Sequence, residues 1–255
     1  MRVGVFGAAG RMGAEVCRAV AADPELELVA AVDPRSAEAD VPAGVASGPT
    51  PDLMADAGVE VAVDFTVAPS ALANAHWCAS HGVHAVIGTS GLGEDAIGEL
   101  RAAFAAPPNC LVAPNFAIGA VLMIRLAELA APFFETAEII ELHHDAKADA
   151  PSGTAIHTAD RLAAASGEWA ADPTRTVNVP GARGATGAGG IHIHSVRLRG
   201  LVAHQEVLLG TTGQSLSIRH DSYDRTSFMP GVLLAVKRIA DHPGLTVGLD
   251  VFLGL

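Results

Sequence analysis

The chain has 255 residues and carries 16 Lys and Arg against 28 Asp and Glu, a formal net charge of −12. Half of it is hydrophobic and 17% is charged, which excludes a disordered chain and provides for one large core or two small ones. The acidity argues against a nucleic-acid partner or an anionic-membrane surface, both of which need clustered Lys and Arg, but leaves open a local basic pocket for a small anion.

The first half alternates short β-branched runs with helical stretches. Val3–Phe6 is an apolar run that ends in a glycine turn, and a helix is expected from about Met12 to Ala22, stopped by Pro24. Leu26–Val32, Val59–Phe65, Val83–Ile87 and Leu111–Ala113 are the next runs, with helices predicted over Ser70–Ser80 and Glu94–Ala105. Alternation of this kind implies a parallel, doubly wound sheet with right-handed crossovers. The segment Val41–Asp56 is rich in Pro and Gly and yields no clear element.

The second half has a different rhythm. Ala137–His144 reads as a strand and Thr154–Ser166 as a helix, followed by a long Gly-, Pro- and Arg-rich loop over Asp172–Gly190. Ile191–Arg199, Val202–Leu209 and Ser215–Asp221 then read as strands of an antiparallel meander, because the turns between them are short. One helical layer would cover one face of such a sheet and leave the other for water or a partner subunit. Pro230 opens a helix over Gly231–Ala240, and Thr246–Phe252 is expected as a closing strand. The fold class expected is α/β: an N-terminal Rossmann-like parallel sheet, then a second α+β domain with an open mixed sheet.

Cys17, Cys78 and Cys110 are few, odd in number and far apart, with no C-x-x-C, so neither a disulfide framework nor a thiolate zinc site is expected. The chain opens directly on a strand pattern without a long apolar run. Its most apolar stretch, Phe116 to Phe134, is interrupted by Arg125 and Glu128, short of a membrane span. A cytoplasmic protein with no membrane partner is the expectation.

Gly7-Ala8-Ala9-Gly10-Arg11-Met12-Gly13 lies between the first strand and the first helix. Glycines there permit a tight turn and close approach of a pyrophosphate, and the helix N-terminus supplies free N–H groups at its positive dipole end. Asp33 follows Gly13 by 20 residues, at the end of the second strand, where an acid would bond a ribose hydroxyl. It favours NADH by repelling a 2′-phosphate, while Arg11 and Arg35 are near enough in sequence to relieve that repulsion, so use of NADH or NADPH is open. Two more turns end strands, Gly88-Thr89-Ser90-Gly91 and Ala113-Pro114-Asn115-Phe116, and in an open α/β sheet ligands bind beyond such ends.

The stretch from Glu138 to Thr154 holds His143, His144, Lys147 and Ser152-Gly153-Thr154 on the way from a strand into a helix. Ser152 is a good N-cap, which would leave the Gly153 and Thr154 N–H groups free. An imidazole, an ammonium and a helix N-terminus together suit a small carboxylate, and an imidazole also suits proton transfer. His192 and His194 share a strand face, as a metal pair would, but no third ligand is obvious nearby and no metal is expected. Arg183 and Arg197 are further candidates for the substrate pocket that the sequence leaves unplaced. A non-catalytic redox sensor would keep the glycine turn and Asp33 but would have no need of the His-His-Lys cluster.

The string from Glu138 to Ala155, E-I-I-E-L-H-H-D-A-K-A-D-A-P-S-G-T-A, resembles the signature of the 4-hydroxy-tetrahydrodipicolinate (dihydrodipicolinate) reductase family. The resemblance extends through V-D-F-T at Val63–Thr66, I-G-T-S-G at Ile87–Gly91, A-P-N-F-A-I-G at Ala113–Gly119, P-G-A-R-G at Pro180–Gly184 and the closing R-H-D-S-Y-D-R-T-S-F-M-P-G-V. It implies reduction of a cyclic imine dicarboxylate by NADH or NADPH, giving tetrahydrodipicolinate with loss of water, on the diaminopimelate route to lysine. Hydride would go to C4 of the imine. By the same resemblance, His143 is the proton donor or acceptor, Lys147 is the second proton donor, and His144, Gly153 and Thr154 bind the substrate carboxylate. Gly7, Ala8, Ala9, Gly10, Arg11, Met12, Asp33, Gly88, Thr89, Ser90, Ala113, Pro114, Asn115 and Phe116 would hold the cofactor. A dinucleotide-binding domain over 1–115, completed by 228–255, a substrate-binding and oligomerisation domain over 116–227, and a homotetramer are implied as well. Ser90 stands where many relatives have a second threonine.

Overall fold

The computed structural model describes residues 1–89 and 91–255. β1 (Arg2–Phe6), β2 (Glu27–Val32), β3 (Ala46–Gly48), β4 (Val61–Asp64), β5 (His84–Ile87) and β6 (Cys110–Val112) are linked by α1 (Arg11–Ala22), α2 (Asp52–Asp56), α3 (Ala68–His81) and α4 (Glu94–Ala103). All four residues of β4 are buried, as are all but the first of β1 and of β2. Their near-continuous apolar runs reflect a sheet covered on both faces. α1 buries Gly13, Val16, Cys17 and Val20, an i, i+3, i+4, i+7 stripe. α3 stops at Gly82, whose φ of 71° is the left-handed conformation glycine takes at little cost.

After α5 (Ile118–Ala130) the chain forms β7 (Thr136–His143), α6 (Gly153–Ala165), the two-residue β8 (Ala185–Thr186), β9 (His192–Arg197), β10 (Ala203–Thr211) and β11 (Gln214–Ser222). The strand order is β11-β10-β7-β9-β8. The expected meander is corrected here: β10 pairs antiparallel with β11 and β7, but β9 lies on the far side of β7 and runs parallel to it. The short link after β9 crosses the end of β7, where the Leu198 amide donates to the carbonyl of His143 at 3.0 Å. Along β7 and β10, buried Ile139, Glu141, Val207 and Leu209 alternate with half-buried Glu138, Ile140, Glu206 and Leu208. Ile139, Val207 and Leu209 pack with Met123 and Ala127 of α5 and Ala155, Ala159 and Leu162 of α6.

The chain ends with α7 (Met229–Arg238), β12 (Leu245–Val247) and α8 (Asp250–Leu253). The expected strand over Thr246–Phe252 is therefore cut short: Gly248 takes φ 98°, and the residues beyond it turn into α8. β12 pairs parallel with β6. It completes a seven-stranded parallel sheet of order β12-β6-β5-β4-β1-β2-β3. Chain direction across the sheet reverses between β1 and β4, the switch point at whose carboxyl end ligands bind in such folds. Two compact units result, Met1–Ile118 with Arg225–Leu255, and Gly119–Asp224. No helix among the described residues is long and apolar enough to cross a membrane.

Candidate active site

In the first unit the glycine turn sits at the end of β1. Gly7 has φ 74°. A Cβ placed on Gly13 would lie 2.0 Å from the Gly7 carbonyl oxygen, so only glycine lets α1 start this close to the turn. Among the described residues no side chain caps α1, and its first turn holds no acid, which leaves its N-terminal amides and dipole available to a phosphate.

Asp33 is buried at the end of β2. Its carboxylate accepts the Ala9 amide at 3.1 Å and the Arg35 amide at 2.8 Å. It thereby ties the glycine turn to the loop after β2, with one bond on each oxygen and lone pairs to spare. Arg35 Nε stands 3.8 Å from the same carboxylate, while Arg11 is exposed. Ala8 is buried, and Ala9, Gly10 and Met12 are half-buried.

Asp64, at the end of β4, organises the neighbouring turns and was not among the sequence candidates. It accepts the Thr66 amide at 2.7 Å, the Thr66 hydroxyl at 2.6 Å, the Asn74 amide group at 2.7 Å and the Thr89 hydroxyl at 3.4 Å. Thr89 is buried and also donates to the Thr66 carbonyl at 3.1 Å. A Cβ on Gly88 would meet the Phe65 ring at 2.1 Å, and that ring packs 5.5 Å from Phe116, centroid to centroid. The signal was the V-D-F-T string itself, an acid and an aromatic at a strand end. In the other turn, Ala113 is buried, Pro114 is exposed, and Asn115 accepts the Ala117 amide at 2.9 Å. Ser90 lies outside the described residues. The glycine cradle, the uncapped helix and the acid at the end of β2 fit a dinucleotide, and the sheet order is that of a Rossmann fold.

In the second unit, His143 ends β7 and its Nδ1 lies 2.5 Å from Glu141 Oε2. Glu141 is wholly buried. Its two oxygens also accept both terminal nitrogens of Arg197 at 2.8 Å each, and Oε1 accepts the Ser152 amide at 3.2 Å. One carboxylate thus holds the imidazole and the start of α6 together. The Ser152 hydroxyl accepts the Ala155 amide at 3.2 Å, so the Gly153 and Thr154 amides stand at the open end of the helix. Lys147 donates to both oxygens of Asp149, at 2.8 and 2.9 Å, and this pair holds the Asp149 carboxyl below its ordinary range. His144 is exposed just past the strand.

Burial lowers the His143 pKa below the usual imidazole value, against the opposing pull of Glu141. Burial alone would raise Glu141, but Arg197, the Ser195 side chain and His143 outweigh it and hold the carboxyl below its ordinary value. Arg197 serves Glu141 and the Asp149 carbonyl, the latter at 2.6 Å. Arg183 instead pairs with Glu138 and Asp172. His192 pairs with Asp172 and His194 with Glu138, and no group of three His, Cys, Asp or Glu is placed to hold a metal among the described residues.

A Rossmann-type sheet joined to a unit that presents an imidazole, an ammonium and an open helix end defines an oxidoreductase of two-unit build. The family model for the N-terminus of dihydrodipicolinate reductase matches residues 1–116, and that for the C-terminus matches residues 119–253. Proteins named 4-hydroxy-tetrahydrodipicolinate reductase from Nocardia farcinica and Cutibacterium acnes are each 50% identical over the whole chain and 99% of their own length. A dipicolinate-bound dihydrodipicolinate reductase from Paenisporosarcina sp. TG-14 superimposes with a TM-score of 0.86 at 37% identity, covering 98% of both chains. The chain belongs to the dihydrodipicolinate reductase family.

Proposed function

We propose that the protein reduces 4-hydroxy-tetrahydrodipicolinate to tetrahydrodipicolinate with NADH or NADPH, with loss of water, on the diaminopimelate route to lysine. The observation that carries this reading is the single buried carboxylate, Glu141, that binds both the His143 imidazole and the first turn of α6. A proton-transfer group is thereby fixed beside an anion-binding helix end, the pairing a dicarboxylate imine requires.

In this reading the first unit holds the cofactor through Gly7 to Met12, Asp33, Gly88 to Ser90 and Ala113 to Phe116. When bound, the reduced nicotinamide supplies a hydride to C4 of the substrate. The Gly153 and Thr154 amides, with His144, bind a substrate carboxylate and so orient the ring. His143 and Lys147 bring a proton and positive charge to the electron density that reduction leaves behind. Lys147 must leave Asp149 to do so, and it is free to swing because Asp149 is exposed. The half-buried face of the second sheet, with Ile140, Leu142 and Leu208, supports assembly into a homotetramer through these sheets. A cytoplasmic location accompanies this role.

The test is oxidation of NADH and NADPH, side by side, with the substrate generated in place from pyruvate and aspartate semialdehyde by the preceding synthase. Enzyme-dependent oxidation that requires all components is expected. Tight cofactor binding without oxidation would sink the reading and favour the sensor.

A further inference from the structure

We propose that Glu141 is a positioning residue that fixes which nitrogen of His143 is free for proton transfer, with Arg197 as its counter-charge. The inference rests on the reading of His143 as the proton-transfer group.

Glu141 and His143 are two residues apart on β7 and therefore share a face. The carboxylate is wholly buried, so it cannot turn to water for its bonds. Arg197 takes both oxygens at 2.8 Å, leaving His143 Nδ1 at 2.5 Å on Oε2 and the Ser152 amide at 3.2 Å on Oε1. An ionised carboxylate only accepts, so Nδ1 must carry the hydrogen. Nε2 then bears the lone pair of the neutral ring and the transferable proton of the imidazolium. The register across the sheet makes this possible, since Ser195 stands opposite Glu141 and Arg197 opposite His143 on β9. Arg197 also bonds the Asp149 carbonyl, which ties the loop carrying Lys147 to the same carboxylate.

Among the described residues the charged groups that act on His143 are Glu141, Lys147 and Arg197, and Glu141 is the one anion of the three. Without it the two cations would oppose protonation of the ring, and nothing would select its tautomer. Burying a carboxylate for packing alone would bring no such selectivity, because an apolar pair of similar volume fills the same space.

Imidazole ¹⁵N spectra of the full-length protein test this, with His143 assigned by the signals lost in His143→Gln. The wild type at pH 8 is expected in the Nδ1–H form. In Glu141→Gln, and in Glu141→Leu/Arg197→Met, which removes both charges and leaves no unpaired buried ion, the Nε2–H form is expected to appear. In both, kcat should fall at least tenfold, with KM for the reduced nicotinamide unchanged. A wild-type ring in the Nε2–H form would overturn the proposal even if neither variant folded. So would a folded double variant with wild-type tautomer and kcat. Full turnover in His143→Gln would overturn the underlying reading instead, and the wild-type spectrum, which does not depend on turnover, tells the two failures apart.

Discussion

A Cβ on Gly13 would sit 2.0 Å from the carbonyl oxygen of Gly7, well inside contact distance, and the atom it meets is backbone. The turn cannot yield without moving β1 or α1. Gly13→Ala is expected to lose about 1–3 kcal/mol of stability, the usual penalty of overpacking. It should also weaken NADH binding more than tenfold. Nicotinamide fluorescence titration and a urea melt check both; a stable Gly13→Ala variant with wild-type affinity would remove the cradle from the cofactor site.

Asp33→Ala deletes the acceptor of two backbone amides as well as the acid expected at a ribose. Each amide left unpaired costs about 1–3 kcal/mol if no water reaches it. Weaker NADH binding is expected, with NADPH affected less because a repulsive charge has gone. Titration with both cofactors measures the ratio, and an unchanged ratio would show that Asp33 serves only the fold.

His143→Gln and Lys147→Ala should each lower kcat by at least about 10²-fold, the usual contribution of a positioned acid or base. Nicotinamide affinity should stay near wild type, because both residues belong to the second unit. Steady-state kinetics beside a binding titration separates the two effects. Near-full turnover in either variant would remove that residue from catalysis.

Acid should destabilise the protein in two stages. Burial lowers the pKa of His143, His84 and His220, so the unfolded chain takes up protons first as pH falls through the ordinary imidazole value of about 6.5. Glu128, Glu138 and Glu141 follow. Burial would raise them, but their Arg and His partners outweigh it, so they stay ionised in the fold below their ordinary range. Urea midpoints should hold between pH 8 and 7, fall from 7 to 5, and fall again below the carboxylate range. A midpoint that rose from pH 7 to 5 would contradict these directions.

The three cysteines should be inert in the native state. Cys17, Cys78 and Cys110 are buried, and burial pushes the Cys17 thiol up to about 12 and the other two upward as well. A colorimetric thiol reagent at pH 8 is expected to react only on unfolding. Rapid native labelling of even one thiol would show a packing defect around it.

The parallel sheet was legible because each of its longer strands is an apolar run set between turn residues. The structure places α1 at Arg11–Ala22 against the expected start near Met12, and α3 at Ala68–His81 against Ser70–Ser80. The stretch Val41–Asp56 was not legible. It forms the three-residue β3 and the five-residue α2, too short to show any period. The order of strands in the second sheet is not legible in the sequence, because a short link suggests adjacency, whereas the link from β9 steps across β7. At the candidate site, His143, Lys147 and the Ser152 cap could be read from local spacing. The partnership of Glu141 with Arg197 could not, since it joins residues 56 apart through sheet register.

The edge strand β12 comes from the far end of the chain. During synthesis, six strands of the parallel sheet emerge, then all of residues 119–224, and only afterwards the strand that covers β6. At translation rates of about 5–20 residues per second, β6 waits on the order of ten seconds as an open edge. β6 has three residues, all buried in the finished fold, so little backbone is offered to a neighbouring nascent chain in that interval.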